Sequence, residues 1–275
     1  MSQLLLQLPE QEIADMQAAQ AFTDVNHMQR IAPALFAKSA HPKMTQRYSF
    51  TDTYDILLHM HNRGFKVSSV QGGETLYKKV MVRLRPTALV NTDYAPELVL
   101  LDSHDGSSRL KMFLGFIRFV CMNGCIAGDM LYARSFVHLA PDLMEQVMLE
   151  LDDVGEHIDT LIQRIDRMKQ HETTLAERIV LADVAVKQRF GDDRSGSFVA
   201  DMRQRMLQIR RNADNDNSLY CVMNVIQENI LRGGMTYQSN HTVRRMSSIR
   251  NVDRSVHINQ ALWQQADELI TRRAA

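Results

Sequence analysis

The stretch ELVLLDSHDGSSRLKMFLGFIRFVCMNGCIAGD, residues 97–129, decides the fold. Its first apolar run, 98–101, predicts a β-strand. The polar break at 104–108 contains Asp-Gly, which favours a tight turn between paired strands. A second, longer apolar run extends from Arg109 to Val120 and is interrupted by only a few basic residues. Two apolar runs joined by a short polar turn predict a β-hairpin at the centre of a sheet.

The composition is that of a globular protein: 275 residues, 45% hydrophobic and 23% charged, which is enough material for a buried core. The longest apolar runs fall well short of the roughly 20 residues that a membrane span needs, so we expect no membrane partner. Residues 1–8 lack the basic start and cleavage site of a signal peptide. Three cysteines do not make a disulfide framework. Together these features predict a cytoplasmic protein.

Charge is distributed unevenly along a chain whose net charge is zero. Residues 30–141 carry 14 Lys and Arg against 8 Asp and Glu, residues 142–193 carry 6 against 13, and residues 194–275 carry 12 against 7. A basic first half and a basic tail therefore flank an acidic middle. Basic regions attract nucleic acid and acidic ones repel it, although solvated surface explains such charges as well.

The prolines divide the chain, because all six lie at or before Pro141. Proline disrupts helix interiors, so its absence afterwards favours a helical second half. We therefore predict an α+β fold with an antiparallel sheet in the N-terminal half and helices in the C-terminal half. The expected parts are an N-terminal helix and loop, a sheet-containing core, an acidic helical hairpin and a basic helical part: 1–46, 47–140, 141–192 and 193–275.

The segment Tyr77–Arg85 alternates with the period of a half-buried strand. Val80, Val82 and Leu84 would face the core. The opposite, open face would carry one aromatic ring and three cations: Tyr77, Lys79, Arg83 and Arg85. Stacking platforms in cationic grooves bind single-stranded nucleic acid in this way. The alternative is a solvated face whose long stems cover apolar neighbours.

After Pro141, the apolar positions from Leu143 to Met168 repeat nearly as a heptad, which predicts a long amphipathic helix. Thr174 and Glu177 match a capping box that would start a second helix, and the two would form an antiparallel hairpin. The stripe either packs on the protein's own body or forms an oligomer contact. The residues that would make such a contact are Leu151, Val154, Ile158 and Ile165.

The turn of the central hairpin places Ser103, His104 and Asp105 side by side, which superficially suggests a catalytic triad. Triads converge from distant chain positions, so a structural turn made by His104, Asp105 and Gly106 is the better interpretation. An enzyme centred on His104 and Asp105 is kept as a third hypothesis. The chain has no phosphate-binding glycine-rich motif, and Cys121, Cys125 and Cys221 are interpreted as buried thiols. We expect no metal and no cofactor.

Several motifs together resemble a known family. LLDSHDGSS and RFVCMNG in 97–124, Gln227-Glu228-Asn229 with Gly233-Gly234, and RMSSIRNVDRSVHINQALW in 245–263 are similar to the phage- and plasmid-like proteins grouped as domain of unknown function 932. The resemblance covers roughly residues 47–263. Asp102 departs from the asparagine expected at that position. The resemblance implies a prophage, plasmid or integrative-element setting and supplies no established activity.

We therefore hypothesise a non-enzymatic DNA-binding protein of mobile elements, acting in single-strand binding or annealing during recombination. Single-stranded or duplex DNA would be its partner, with a homo-oligomer as a further option. The DNA-binding residues would be Tyr77, Lys79, Arg83, Arg85, Arg109, Lys111, Arg118, Arg244 and Arg245. The alternative is an anti-defence or regulatory protein that binds a host or phage protein through the helical hairpin.

Overall fold

A computed structural model describes residues 25–88, 93–119, 123–126, 132–239 and 242–272. The chain divides into two compact units, the first formed by 1–122 and 131–159 and the second by 123–130 and 160–275. The first unit carries an antiparallel sheet and most helices belong to the second, so the α+β prediction is confirmed. Residues 1–24 of the expected N-terminal helix and loop, Cys121 and the segment 128–129 lie outside the described residues.

The first unit begins with two helices and continues into the sheet. The helices are Val25–Ile31 (α1) and Thr53–Asn62 (α2), with a 3₁₀ turn at Pro33–Phe36 between them. The strands of the sheet, in spatial order, are Phe65–Gly72 (β1), Val80–Pro86 (β2), Tyr94–Asp102 (β3), Leu110–Arg118 (β4) and Ala133–Phe136 (β6). Asn123–Ile126 (β5) belongs to the second unit. Each described pair in this unit is antiparallel.

The hairpin predicted at the centre of the sheet is β3 and β4, with β2 and β6 on either side. Every residue of β3 is buried, as is nearly all of β4. Leu98 lies opposite Leu114 and Leu100 opposite Met112, so apolar cross-strand pairs align the two strands. In the turn between them, Gly106 has a φ of +73°. Glycine adopts this left-handed conformation at little energetic cost because it has no Cβ.

Helix α2 is capped by Asp52, whose side chain accepts hydrogen bonds from the backbone N–H groups of Tyr54 and Asp55. The neighbouring Thr51 hydroxyl donates a hydrogen bond to the buried carboxylate of Asp102. The start of the helix is thereby tied to the end of β3.

The second unit is built around one buried helix. Helix Leu143–Asp152 (α3) lies in the first unit, and Val154–Gln170 (α4) begins in the first unit and continues into the second. The remaining helices of the second unit are Leu175–Phe190 (α5), Gly196–Met206 (α6), Leu219–Arg232 (α7) and Val252–Arg272 (α8). Helix α7 is buried from Leu219 to Ile230, including Cys221, and packs against α5, α6, α8 and β5. Among the described residues, every helix is too short or too polar to span a lipid bilayer.

The acidic segment after Pro141 is helical, but it is not one long helix. Asp153 ends α3, and α4 follows at once. The capping box of Thr174 and Glu177 starts α5 as predicted, and Gly191 ends it. Helix α5 also packs on α6, α7 and α8, so it is part of a larger helical cluster.

The heptad stripe is buried within the single chain. The four residues assigned to an oligomer contact are at most 2% exposed: Leu151, Val154, Ile158 and Ile165. A residue with no accessible surface cannot meet a second copy unless the chain rearranges. The stripe is therefore core, and its assignment as an oligomer contact is corrected.

Candidate nucleic-acid interface

The arginines of β2 are occupied by a buried carboxylate on the neighbouring strand. Arg83 Nη1 lies 2.9 Å from Glu97 Oε2, and Arg85 Nε lies 2.8 Å from Glu97 Oε1. The Ser68 hydroxyl donates a third hydrogen bond to Glu97, at 2.9 Å. The Glu97 side chain is fully buried, and those of Arg83 and Arg85 are 9% and 12% exposed. The open face predicted for this strand is therefore wrong at both arginines.

The pKa of Glu97 follows from this geometry. Burial by itself would favour the neutral acid, but the adjacent guanidinium groups of Arg85 and Arg83 hold the pKa of Glu97 below its ordinary value. Glu97 is therefore ionised, and its charge is shared between two arginines. Such a group fixes strand pairing and leaves neither guanidinium available to a phosphate.

The other residues predicted on or near that face each have different neighbours in the structure. Tyr77 is in the turn before β2, with its ring edge-on to His41 at a centroid distance of 4.9 Å. Lys79 is half-buried, and its carbonyl accepts a hydrogen bond from Gly73. Arg118 is buried, with its Nε 3.6 Å from Asp93 Oδ1. The structure therefore does not gather these three side chains on one accessible face.

Two predicted cations of the first unit stay accessible. Arg109 is exposed just before β4, and Lys111 is half-buried on β4, opposite Ser135 of β6. No described carboxylate forms an ion pair with either. They remain predicted phosphate contacts in this unit.

The segment from Met235 onward is polar and arginine-rich in sequence, and it contains a separate two-stranded antiparallel ribbon. Its strands are Thr236–Ser239 (β7) and Thr242–Arg245 (β8). Every residue of β8 is exposed. Arg244 and Arg245 form no ion pair with a described carboxylate, which sets them apart from the buried arginines of β2. Together with Arg109, these two side chains are the exposed ones among the predicted cationic DNA-binding residues.

The base of the ribbon is anchored in the second unit. The Tyr237 ring packs edge-on against Phe190 at 5.5 Å and Phe198 at 5.8 Å, between centroids. Backbone hydrogen bonds from Gly234 N to Met246 O and from Met246 N to Met235 O, both 2.7 Å, extend the pairing below the ribbon. Ring packing and backbone hydrogen bonds therefore attach the base of the ribbon to the second unit.

Gly233 makes this exit from α7 possible. Its φ is +65°, and a Cβ at this position would lie 2.6 Å from the carbonyl oxygen of Ser247. A larger residue would push apart the two segments that enter and leave the ribbon.

Further positive charge lies at the base of the ribbon. Arg189 donates to the carbonyl oxygens of Ile230 and Ser247, and Arg254 Nη2 donates to Arg189 O at 2.7 Å. Burial, and then the nearby charge of Arg254, lower the pKa of Arg189 from its usual range. Backbone carbonyls satisfy these guanidinium groups without neutralising them, so the base keeps its positive charge.

A cleft of about 630 Å³ opens beside the N-terminus of α6, but its charges are mixed. Its lining includes Asp193 and Asp201 together with Arg194 and Arg205. Arg205 pairs with Asp201 at 2.9 Å, and Arg194 Nε donates to the carbonyl of Phe190 at 3.0 Å. Two carboxylates in the wall disfavour a phosphate.

The side chains of the central turn do not form a catalytic pair. His104 Nε2 lies 3.0 Å from the Ala34 carbonyl and 3.2 Å from the Thr53 hydroxyl. Asp105 Oδ1 instead accepts a hydrogen bond from Ser107 N at 2.9 Å, which closes the turn. Burial lowers the pKa of His104, which favours the neutral ring. His104 therefore supports the loop around Ala34.

Asp102 joins a buried polar network next to this turn. Its Oδ2 accepts hydrogen bonds from the hydroxyls of Thr51 and Thr53, at 3.0 and 3.1 Å. His138 Nε2 lies 3.2 Å from its Oδ1, and the His138 ring stacks on Tyr48. These residues are all at least largely buried, so the network ties the loops to the end of β3.

From the sequence, no strands are predicted in the segment that forms the ribbon, and Arg244 and Arg245 are interpreted only as positive charge. The sequence did contain a signal for the ribbon. Thr236-Tyr237 and Thr242-Val243 are short β-forming pairs on either side of Asn240, a residue typical of turns.

Comparison with known proteins gives one family. The model of the domain of unknown function (DUF932) matches residues 40–263. Two relatives from Escherichia coli strain K12 are the UPF0380 proteins YafZ and YfjQ, each 28% identical over 88% of this chain and 90% of its own length. No solved structure matches the chain significantly.

Proposed function

The chain belongs to the DUF932 family, and for this member we propose a non-enzymatic DNA-binding protein of phage, plasmid or integrative elements. The observation that carries the proposal is the β7–β8 ribbon, on which Arg244 and Arg245 are exposed and unpaired with any described carboxylate. Family membership is consistent with a mobile-element setting. A role in recombination, by single-strand binding or annealing, is the finer form of the same proposal.

The alternative is an anti-defence or regulatory protein that binds a host or phage protein through the helical hairpin. The apolar stripe of that hairpin is buried in the chain's own core, so the stripe itself is not available as the contact. The exposure of the ribbon arginines supports the proposal, because phosphate contacts are made by accessible cations.

We expect the double variant Arg244→Gln, Arg245→Gln to bind DNA more weakly than the parent protein. Each lost phosphate contact should reduce the slope of log affinity against log salt by about 0.9 for duplex DNA, so the pair should reduce it by nearly two. Fluorescence anisotropy with a labelled duplex and its labelled single strand, measured across several salt concentrations, provides the slope.

The matched control is the double variant Arg203→Gln, Arg205→Gln. It removes the same charge from the same unit, but these arginines are held by Asp183 and Asp201 on the surface. The control should retain the affinity and slope of the parent. A ribbon variant that is folded and binds DNA like the parent would contradict the proposal. Absence of DNA binding by the parent at low salt would favour a protein partner instead.

A further inference from the structure

We infer that the first unit carries its own surface for nucleic-acid phosphates, formed by the loops at one end of its sheet; this rests on the proposed DNA-binding function. Val80 at the start of β2 pairs with Gly72 at the end of β1 and with Asp102 at the end of β3. Leu101 of β3 pairs with Lys111 of β4. The β1–β2 turn and the β3–β4 turn therefore leave the sheet at the same end.

Another segment, which precedes α2, packs onto these two turns. The backbone N–H of His41 donates to the His104 carbonyl at 2.8 Å, and the His41 ring packs edge-on against Tyr77. Met44 lies against Gly106, since a Cβ at Gly106 would be only 3.0 Å from the Met44 sulfur. The backbone N–H of His104 donates in turn to the Tyr77 carbonyl at 3.1 Å. These contacts join three segments into one loop cluster: 41–47, 73–79 and 103–111.

The loop cluster has an excess of positive charge. It contains six cations and two carboxylates, Glu74 and Asp105. Lys79 and Lys111 are half-buried, and the other four cations are exposed: Lys43, Arg47, Lys78 and Arg109. Lys78 lies 3.9 Å from Asp105, and the other three exposed cations form no ion pair with a described carboxylate. The cluster therefore presents accessible, largely uncompensated positive charge.

Asp105 neutralises little of this charge. Burial by itself would raise the pKa of Asp105, but hydrogen bonds from Ser107 and the charges of Lys43 and Lys78 hold that pKa below its ordinary value. Asp105 is therefore ionised, and it accepts the hydrogen bond from Ser107 N that closes the turn. A single carboxylate offsets one positive charge, so the exposed part of the cluster stays cationic.

The spacing of the cations suits a ligand whose anionic groups form a row. Neighbouring strands lie about 5 Å apart, so the ends of β2 and β4, on either side of β3, are roughly 10 Å apart. Phosphates along one DNA strand advance by about 3.4 Å of helix axis per nucleotide, so this distance corresponds to roughly three phosphates. Thr45 and Ser107 are exposed among the cations and supply hydroxyl donors of the kind that contact phosphate oxygens.

An anionic membrane surface fits the loop cluster less well. Proteins that bind such a surface combine cations with several apolar side chains that enter the lipid. Leu76, which is 41% exposed, is the one large apolar side chain exposed among the residues of the loop cluster, all of which the structure describes. The second unit also presents exposed arginines on its ribbon, which favours one polyanionic partner for both units.

The test uses the full-length protein and fluorescence anisotropy with a labelled 20-base-pair duplex at several salt concentrations. The loop variant, Lys43→Gln with Arg109→Gln, removes two exposed cations from the loop cluster. It should bind more weakly, and its slope of log affinity against log salt should be smaller by nearly two. Adding the ribbon changes Arg244→Gln and Arg245→Gln should make the reduction about twice as large, because the two surfaces contribute separately.

Two further variants distinguish a local contact from a general effect of charge. The control Arg63→Gln, Arg134→Gln removes the same charge from the first unit, but these arginines are held by Asp152 and Glu150, so the parent's slope should persist. Glu74→Gln removes an exposed carboxylate from the loop cluster and should raise the affinity about two- to fivefold, the scale of one exposed charge interaction. A folding defect would not raise the affinity, and circular dichroism verifies the fold of each variant.

The outcomes separate this inference from the proposed function. If the parent binds no DNA at low salt, both fail. If the parent binds DNA and the loop variant behaves like the parent or like the control, the loop surface is overturned and the proposed function stands. If the loop variant weakens binding and the ribbon variant does not, the loop surface stands and the ribbon loses its role. Vesicles of phosphatidylserine and phosphatidylcholine that bind the parent but not the loop variant, with DNA binding unchanged, would overturn the loop surface in favour of a membrane.

Discussion

Replacing Glu97 with Gln should lower the free energy of unfolding by about 3–5 kcal/mol, the usual cost of breaking a buried ion pair. Glutamine has nearly the same shape, so packing changes little. The variant would leave the guanidinium groups of Arg83 and Arg85 largely buried without an opposite charge. Two uncompensated cations between paired strands are costly because the interior screens and solvates them poorly.

Urea denaturation followed by circular dichroism measures the change, and Glu150→Gln is the matched control. Glu150 pairs with Arg134 at 2.6 Å, but both side chains are more than one-third exposed. Ion pairs of that kind contribute about 0–1 kcal/mol. If both variants lose a similar, small amount of stability, the buried carboxylate does not hold the strands as described.

The effect of Glu97 should depend on pH in a defined direction. Its pKa is lowered in the folded protein relative to the ordinary value of 4.5. A group of this kind contributes its stability fully above the unfolded pKa and loses it as the pH falls through the folded pKa. The stability difference between the parent and Glu97→Gln should therefore be constant above about pH 5.5 and narrow as the pH falls below 4.5.

The strand containing Arg83 and Arg85 could be predicted from the sequence, but the burial of its second face could not. The alternation from Val80 to Leu84 correctly indicates a strand, because period two follows from backbone geometry alone. It does not tell whether the second face is solvated, since that depends on neighbouring strands. The signal was Glu97 itself, a carboxylate next to the apolar run 98–101, because a carboxylate within a fully buried strand requires a cationic partner.

This correction reverses one expectation from the sequence. An exposed Arg83 and Arg85 could both be changed to Gln without loss of folding. In the structure, the same double variant would leave the buried Glu97 carboxylate without a cationic partner, so it should unfold more easily than the parent. Weak DNA binding by that variant would then report on folding and carry no information on an interface.

Local signals in the second half were more informative than long-range ones. The capping box at Thr174 and Glu177 and the glycine stop at Gly191 are read from residues a few positions apart, and both are present in the structure. The β7–β8 ribbon depends instead on a tyrosine packing against Phe190 and Phe198, which are 47 and 39 positions away. Spacing along the chain does not encode such contacts.

The heptad stripe lies between these cases. Its period correctly indicates which positions are covered, because apolar residues spaced by three and four fall on one side of a helix. The period does not say whether the covering surface belongs to the same chain or to a second copy. In the structure, burial of the stripe within one chain resolves that choice for Ile158 and its neighbours.

Replacing Ile158 with Asp should therefore destabilise the folded chain by at least about 3 kcal/mol. The change removes a buried aliphatic side chain, which alone costs about 2–5 kcal/mol when cut back to alanine, and places a carboxylate where Ile158 is only 1% exposed. Because the stripe is covered by its own chain, the loss of stability relative to the parent should be the same at every protein concentration. Thermal and urea unfolding at several concentrations measure both quantities.

Leu149→Asp is the control for this last experiment, since it makes the same kind of change on the preceding helix, α3, at a side chain that is 61% exposed. Its effect should stay within about 0.5 kcal/mol, as is usual for surface substitutions. Equal melting temperatures for the parent and Ile158→Asp would show that the stripe is not buried. A variant that stays folded but changes from oligomer to monomer in light scattering would restore the stripe as a contact between copies.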